Sequence, residues 1–229
     1  MPAAPDSAGF SVATHLTRHP YFRNMDDDAL AALGAAALKR KFQAGDLIFM
    51  EGEPTSGLWI IERGRVKIFK LHVEGREHIL HLLGPGDSFN DVSAFDGGPN
   101  PANAAALSDV TAWVLPSERL YDILREHPEM ALHVIRGMSA RLRGAVQQIE
   151  DLALYSVQAR LSRFLLSRAS DPSLQGPGIT RAAIAAHLAT TPETVSRVLR
   201  SLEEAGAIRF DRHRIVIVDE DLLQGLAYV

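Results

Sequence analysis

The sequence predicts an α+β fold in three parts: a β jelly roll, a long helix, and a C-terminal winged helix-turn-helix. Three observations predict it. Short apolar runs punctuated by glycine fill residues 41–117. An apolar heptad pattern follows from 135 to 152. Two short amphipathic runs joined by a three-residue turn, and then two β-rich runs, close the chain.

Residues 1–9 are rich in Pro, Ala and Ser, with neither a basic run nor an apolar core, so they do not read as a signal peptide. Residues 10–40 read as helical. Asp26, Asp27 and Asp28 precede Leu30, Leu33, Ala37 and Leu38. Carboxylates in a first turn oppose the positive end of a helix. Consecutive helical positions point in different directions, so the three read as a cap rather than a metal site.

From 41 to 117, Gly45, Gly52, Gly57, Gly64, Gly75, Gly84, Gly86, Gly97 and Gly98 separate strand-like runs such as 58–61, 65–69 and 78–83. Regular short strands with turn signals indicate a sandwich or barrel, and a jelly roll is one such solution. From 117 to 170 the pattern is helical again. Ile135, Met138, Leu142, Ala145, Ile149 and Leu152 are spaced 3, 4, 3, 4, 3, a seam that predicts a helical dimer contact.

A helix is expected over 157–169, and Pro172, Gly176, Pro177 and Gly178 form a loop. Thr180 then caps a helix containing Arg181, Ile184 and Leu188. After the turn 189–191, Thr191 caps a second helix that starts at Pro192. In it Val195, Val198, Leu199 and Leu202 face inward, while Glu193, Ser196, Arg197 and Arg200 share the outer face. Arg bonds guanine, Glu accepts from cytosine, and Ser bonds either or abuts thymine, so this face has the groups a DNA major groove requires. Arg209, Arg212 and Arg214 lie on the expected hairpin wing, within reach of phosphate. The contact set expected on DNA is Thr180, Arg181, Thr191, Glu193, Thr194, Ser196, Arg197, Arg200 and Arg212.

Charge supports that placement. The 229-residue chain carries −4, but residues 157–229 hold nine Arg against eight acids, net +1, and residues 179–214 hold six against four. The chain has no cysteine, which excludes disulfides, thiolate catalysis, Cys-ligated zinc and Cys-held iron–sulfur clusters. It has no Ser-His-Asp spacing, Gly-Lys-Thr/Ser loop or HExxH motif, so an enzyme is not expected. No apolar window is long enough for a membrane span, and the cytoplasm is the expected location.

With these residues on the page, the chain resembles the CRP/FNR family of bacterial transcription regulators from about Phe22 to Val218. The likeness rests on Gly45-Asp46-x-Ile48-Phe49, Gly64-x-Val66-Lys67-Ile68, Leu83-Gly84-x-Gly86-Asp87 and the helix-turn-helix at 179–208. The resemblance implies a cyclic-nucleotide-binding-type jelly roll, a homodimer on double-stranded DNA, and RNA polymerase as a further partner. Glu193, Ser196 and Arg197 match the family's Glu-x-x-Ser-Arg pattern. That match implies a TTGA-type pseudo-palindrome, with Arg197 on guanine, Glu193 on the cytosine side and Ser196 on thymine or adenine. The expected segments are 1–20 (tail and start of the first helix), 21–126 (effector domain), 127–156 (dimerisation helix) and 157–229 (DNA-binding domain).

The likeness breaks at the effector. Where cyclic-AMP-responsive members carry Gly-Glu and Arg-Ser, this chain has Asn90-Asp91 and Pro101-Ala102. Pro101 brings neither a charge nor a backbone donor to a phosphate. The adenine-contacting Thr-Ser pair of that subgroup falls at Ala145-Val146. Cyclic AMP is therefore not the expected effector. Asn90, Asp91, Ala102, Leu142, Ala145 and Val146 bound the expected pocket for another small molecule, if there is one. Any ligand would act by shifting the helix packing that sets the spacing of two DNA-reading heads, roughly 34 Å apart. A His-ligated haem through His15 or His19 is the alternative within the family. A DNA-independent sensor or adaptor is the alternative outside it.

Overall fold

The computed structural model describes residues 16–17, 19–22, 25–168, 180–211 and 214–228. His15, Arg212 and the 172–178 loop lie outside them. The chain divides into two compact units. One joins the residues up to Ile68 with Leu83–Leu142, and the other joins Phe69–Leu82 with Arg143–Val229.

Helix α1 spans Asp27–Ala36. The Ala29 amide donates to Asp26 Oδ1 at 2.7 Å, so Asp26 is the cap, with Asp27 and Asp28 in the first turn. Ala29, Leu30 and Leu33 are buried. The helix stops sooner than expected, because Leu38–Phe42 is strand β1. Its backbone pairs with β8 (Val110–Leu115), setting Lys39 opposite Trp113. The Lys39 ammonium lies 4.8 Å from the Trp113 ring centroid and 2.9 Å from Glu62. Charged side chains suit a strand with an open edge.

The remaining strands are β2 (Leu47–Phe49), β3 (Leu58–Arg63), β4 (Val66–Leu71), β5 (Glu77–Leu83), β6 (Ser88–Phe89) and β7 (Asn103–Ala106). They form two four-stranded sheets, β1-β8-β3-β6 and β2-β7-β4-β5, the architecture expected of a jelly roll. Trp59, Ile61, Phe89, Ala112 and Val114 share one core with Phe49 and Val66, and Trp59 stacks on Phe89 at 5.8 Å. Two turns require glycine. Gly57 and Gly64 have φ of +126° and +89°, and a Cβ would lie 2.0 Å from Leu115 O and 2.1 Å from Asp109 O.

A short helix α2 (Asp91–Asp96) follows β6, and helix α3 (Ser117–Glu126) follows β8. Helix α4 (Glu129–Leu154) is the long helix, 26 residues. Its first turns bury Met130 and Val134 in a second core with Leu16, Tyr21, Phe22, Leu33 and Leu120. Beyond them Ile135, Leu142, Val146, Ile149 and Leu152 remain exposed. Met138 departs from the expected seam: it packs against the core. It lies one and two helical turns beyond Val134 and Met130, on the same side of the helix.

The C-terminal part contains α5 (Val157–Ser167), α6 (Arg181–His187), α7 (Pro192–Glu204), β9 (Ile208–Phe210), β10 (Ile215–Ile217) and α8 (Glu220–Leu226). Helix α8 lies beyond the pattern read from the sequence. It is capped by Asp219, whose side chain accepts from the Leu222 amide, and it packs on α5 through buried Leu223.

Candidate nucleic-acid interface and effector region

The helix-turn-helix is built by its caps. Thr180 Oγ1 accepts from the Ala183 amide at 3.1 Å and starts α6. The turn passes through Ala189 at φ +50°, closed by the Thr190 amide donating to Ala185 O at 2.9 Å. Thr191 Oγ1 accepts from the Thr194 amide at 3.2 Å and also bonds the Thr194 hydroxyl at 3.1 Å. The hydroxyls of Thr180, Thr191 and Thr194 are thus engaged locally.

Helix α7 buries Val195, Leu199 and Leu202 against α5 and α6. Its other face presents Glu193, Arg197 and Arg200 to solvent, with Ser196 half-buried. Among the described residues neither Arg197 nor Arg200 has an ion-pair partner. Free guanidinium groups on an exposed helix face are what base edges and phosphates require. Glu193 stands in the first turn, where its own backbone amide and the Thr191 side chain hold its carboxyl below the ordinary range. It is therefore an acceptor at neutral pH. Gly206, at φ +86°, turns the chain into the antiparallel β9–β10 hairpin, with Arg209 opposite Val216. The Phe210 amide donates to Glu203 Oε1 at 3.1 Å, tying this wing to α7. The Arg181 guanidinium lies 5.4 Å from the Phe210 ring centroid.

The expected effector residues have other partners. Asn90 adopts φ +64°, a left-handed conformation that Asn tolerates better than most residues. Its Nδ2 reaches Thr55 Oγ1, Gly57 O and Asn100 Oδ1 at 3.0–3.3 Å. Asp91 is buried, and its carboxylate accepts from the Tyr21 hydroxyl and pairs with Arg141 Nε at 2.7 Å. Arg141 Nη2 also donates to Ser88 O at 2.7 Å and Ser88 Oγ at 2.9 Å. Burial and the neighbouring Asp91 charge push the Tyr21 phenol well above its ordinary range. The Tyr21 ring lies where a Cβ on Gly137 of α4 would sit, 2.1 Å from Tyr21 Cε1. Sequence reasoning missed Tyr21, Arg141 and Gly137, because nothing local in the chain marks their meeting. Ala102 is buried, whereas Leu142, Ala145 and Val146 are exposed along α4.

His19 is buried between the Tyr21 and Phe22 rings at 4.9 and 5.2 Å, and its Nδ1 accepts from the Tyr21 amide. Burial, and then the Arg141 charge, pull its pKa down to about 4. Asp26, His127 and Glu129 also bring ligand-type atoms within 4.8 Å of one another, but both carboxylates are largely solvated.

Comparison with known proteins agrees with this layout. Residues 39–127 match the cyclic nucleotide-binding domain family, and residues 159–226 match the Crp-like helix-turn-helix domain family. The CRP-like cAMP-activated global transcriptional regulator of Mycobacterium tuberculosis is 31% identical over 215 residues, covering 91% of this chain and 96% of that one. The cyclic AMP receptor protein of Thermus thermophilus is 31% identical, covering 83% and 88%. The structure of FixK2 from Bradyrhizobium japonicum superposes with a TM-score of 0.75 at 25% identity, covering 83% of this chain and 96% of that one. The chain belongs to the CRP/FNR family of transcription regulators, with a cyclic-nucleotide-binding-like domain and a DNA-binding helix-turn-helix. Its relatives are regulators and not enzymes. No described helix is long and apolar enough to cross a membrane.

Proposed function

We propose that the chain acts as a homodimer that reads a TTGA-type pseudo-palindrome, TTGA facing its inverted copy TCAA, under an effector other than cyclic AMP or none. The observation that carries this is the outer face of α7, where Glu193, Ser196, Arg197 and Arg200 lie opposite the buried Val195, Leu199 and Leu202. Arg197 reads guanine, Glu193 accepts on the cytosine side, and Ser196 contacts thymine or adenine. Thr180, Arg181, Thr191, Thr194, Arg200 and Arg212 position the helix on phosphate. The exposed stripe Ile135, Leu142, Ala145, Ile149 and Leu152 is the dimer contact. RNA polymerase is the further partner the family suggests. The segments 21–126, 127–156 and 157–229 serve as effector domain, dimer helix and DNA reader.

Two observations support an effector other than cyclic AMP. Asp91 already serves Tyr21 and Arg141, and exposed Pro101 offers no charge to a phosphate. A haem held by His19 does not fit the packing, since Tyr21 and Phe22 enclose that ring. Fluorescence anisotropy on labelled duplexes tests the reading. A TTGA pseudo-palindrome binds at least about 10³-fold tighter than a scrambled duplex, with a steep salt dependence. Added cyclic AMP leaves the affinity unchanged. Equal affinity for both duplexes would remove the TTGA assignment, and no binding to either would favour a DNA-independent adaptor.

A further inference from the structure

We propose that a cavity in the C-terminal unit is the binding site of a small amphipathic organic acid, an apolar body carrying one carboxylate. The cavity has a volume of about 690 Å³, within the roughly 300–1,000 Å³ of small-molecule sites. It is walled by β5, the end of α4, α5, the end of α6 and the C-terminal turn, and Leu80, Phe164, Leu166 and Leu188 make its lining largely apolar. Such a wall selects an apolar ligand body.

The polar groups around it set the ligand's head. Gln148 Nε2 is taken by Leu80 O at 3.1 Å. Arg163 gives Nη1 to Asp151 at 2.7 Å and Nε to Ala227 O at 2.9 Å, and its guanidinium lies 3.7 Å from the Tyr155 ring centroid. Its charge is therefore already balanced. The His187 Nδ1 lies 3.1 Å from Ile79 O, an atom that only accepts, so Nδ1 carries a proton, and burial, which pulls the pKa down to about 4, keeps the imidazole neutral. Among the described lining residues one cation is left unpaired. Arg160 lines the same cavity, and no hydrogen bond or ion pair to another described residue engages its guanidinium. An unpaired guanidinium beside an apolar wall lacks an acceptor, and a carboxylate supplies one with a short charge-assisted bond. One unbalanced guanidinium matches a monoanion. A phosphate dianion would need a second cation, and Arg163 is already engaged.

The test uses the intact chain, titrated calorimetrically with decanoate, octanoate and 4-phenylbutyrate below any micellar concentration. At least one binds saturably at one site per chain, and decanol binds at least about tenfold more weakly than decanoate, the loss of one charge-assisted pair. Arg160→Met weakens acid binding by at least about tenfold, and the ligand raises Tm in the wild type but not in this variant. If Arg160→Met fails to fold, Leu80→Trp, which fills the cavity, abolishes binding in its place. No saturable binding of any acid, equal binding of decanol, or equal binding by the folded variant overturns the site. The site draws on the regulator reading only for its biological use. Because ligand binding is read without DNA, failure on TTGA duplexes would sink that reading and leave this site standing.

Discussion

At the scale of single residues, Arg197 and Glu193 differ from most charged groups in the chain. Their helix is fixed by an apolar face and a Thr cap, yet they stay solvated. A helix already fixed on its apolar face loses little backbone freedom on meeting a base edge. Arg197→Ala is therefore expected to weaken TTGA binding by about 1–3 kcal/mol and to relax selectivity at the guanine, read by anisotropy on guanine-substituted duplexes. The fold should be unaffected. His19 carries a second prediction. Its folded pKa of about 4 lies below the ordinary value of 6.5. Above the ordinary value the ring is neutral both folded and unfolded, and its full contribution is present. As pH falls through the window between the two values, the unfolded chain takes a proton that the folded chain refuses, and stability is lost. The loss should reach about 3 kcal/mol at the bottom of that window. Urea unfolding of the wild type and His19→Asn across it checks this: the variant shows the shallower decline. Half-buried His187, also lowered to about 4, acts in the same direction.

At the scale of elements, the local signals were legible in the sequence. Asp26, Thr180 and Thr191 sit at helix starts because short oxygen-bearing side chains satisfy first-turn amides, and Pro192 follows because it has none to satisfy. The heptad in α4 was legible too, but one residue of it was not. Met138 is half-buried and packs against the core, because Met130 and Val134 begin the helix on an inward face that spacing alone does not distinguish. The exposed remainder predicts that Leu142→Glu separates the dimer. Sedimentation velocity should give a dimer for the wild type and a monomer for the variant at equal micromolar concentration, with pseudo-palindrome affinity lost in parallel. Exposed Leu142 touches none of the core clusters, so the variant should keep the wild-type far-ultraviolet spectrum.

At the scale of the whole molecule, what the sequence hid are contacts between distant stretches. Asp91 meets Tyr21, 70 residues away, and Arg141, and no periodicity or motif announces either. The cavity is equally non-local, formed where strand, long helix and DNA-binding helices converge. The family likeness made Asp91 an expected effector residue, but only the fold shows which groups its carboxylate serves. Gly137 completes that arrangement: the missing side chain on α4 is the seat of the Tyr21 ring. The Tyr21 ring therefore behaves as a stopper seated in a socket, and a stopper can be replaced. Tyr21→Gly should lower Tm by several degrees, about what a vacated aromatic site costs in a chain of this size. Millimolar p-cresol, which is the tyrosine side chain cut free, should restore much of it in this variant and leave the wild type unchanged. Toluene, lacking the hydroxyl that Asp91 accepts from, should restore less.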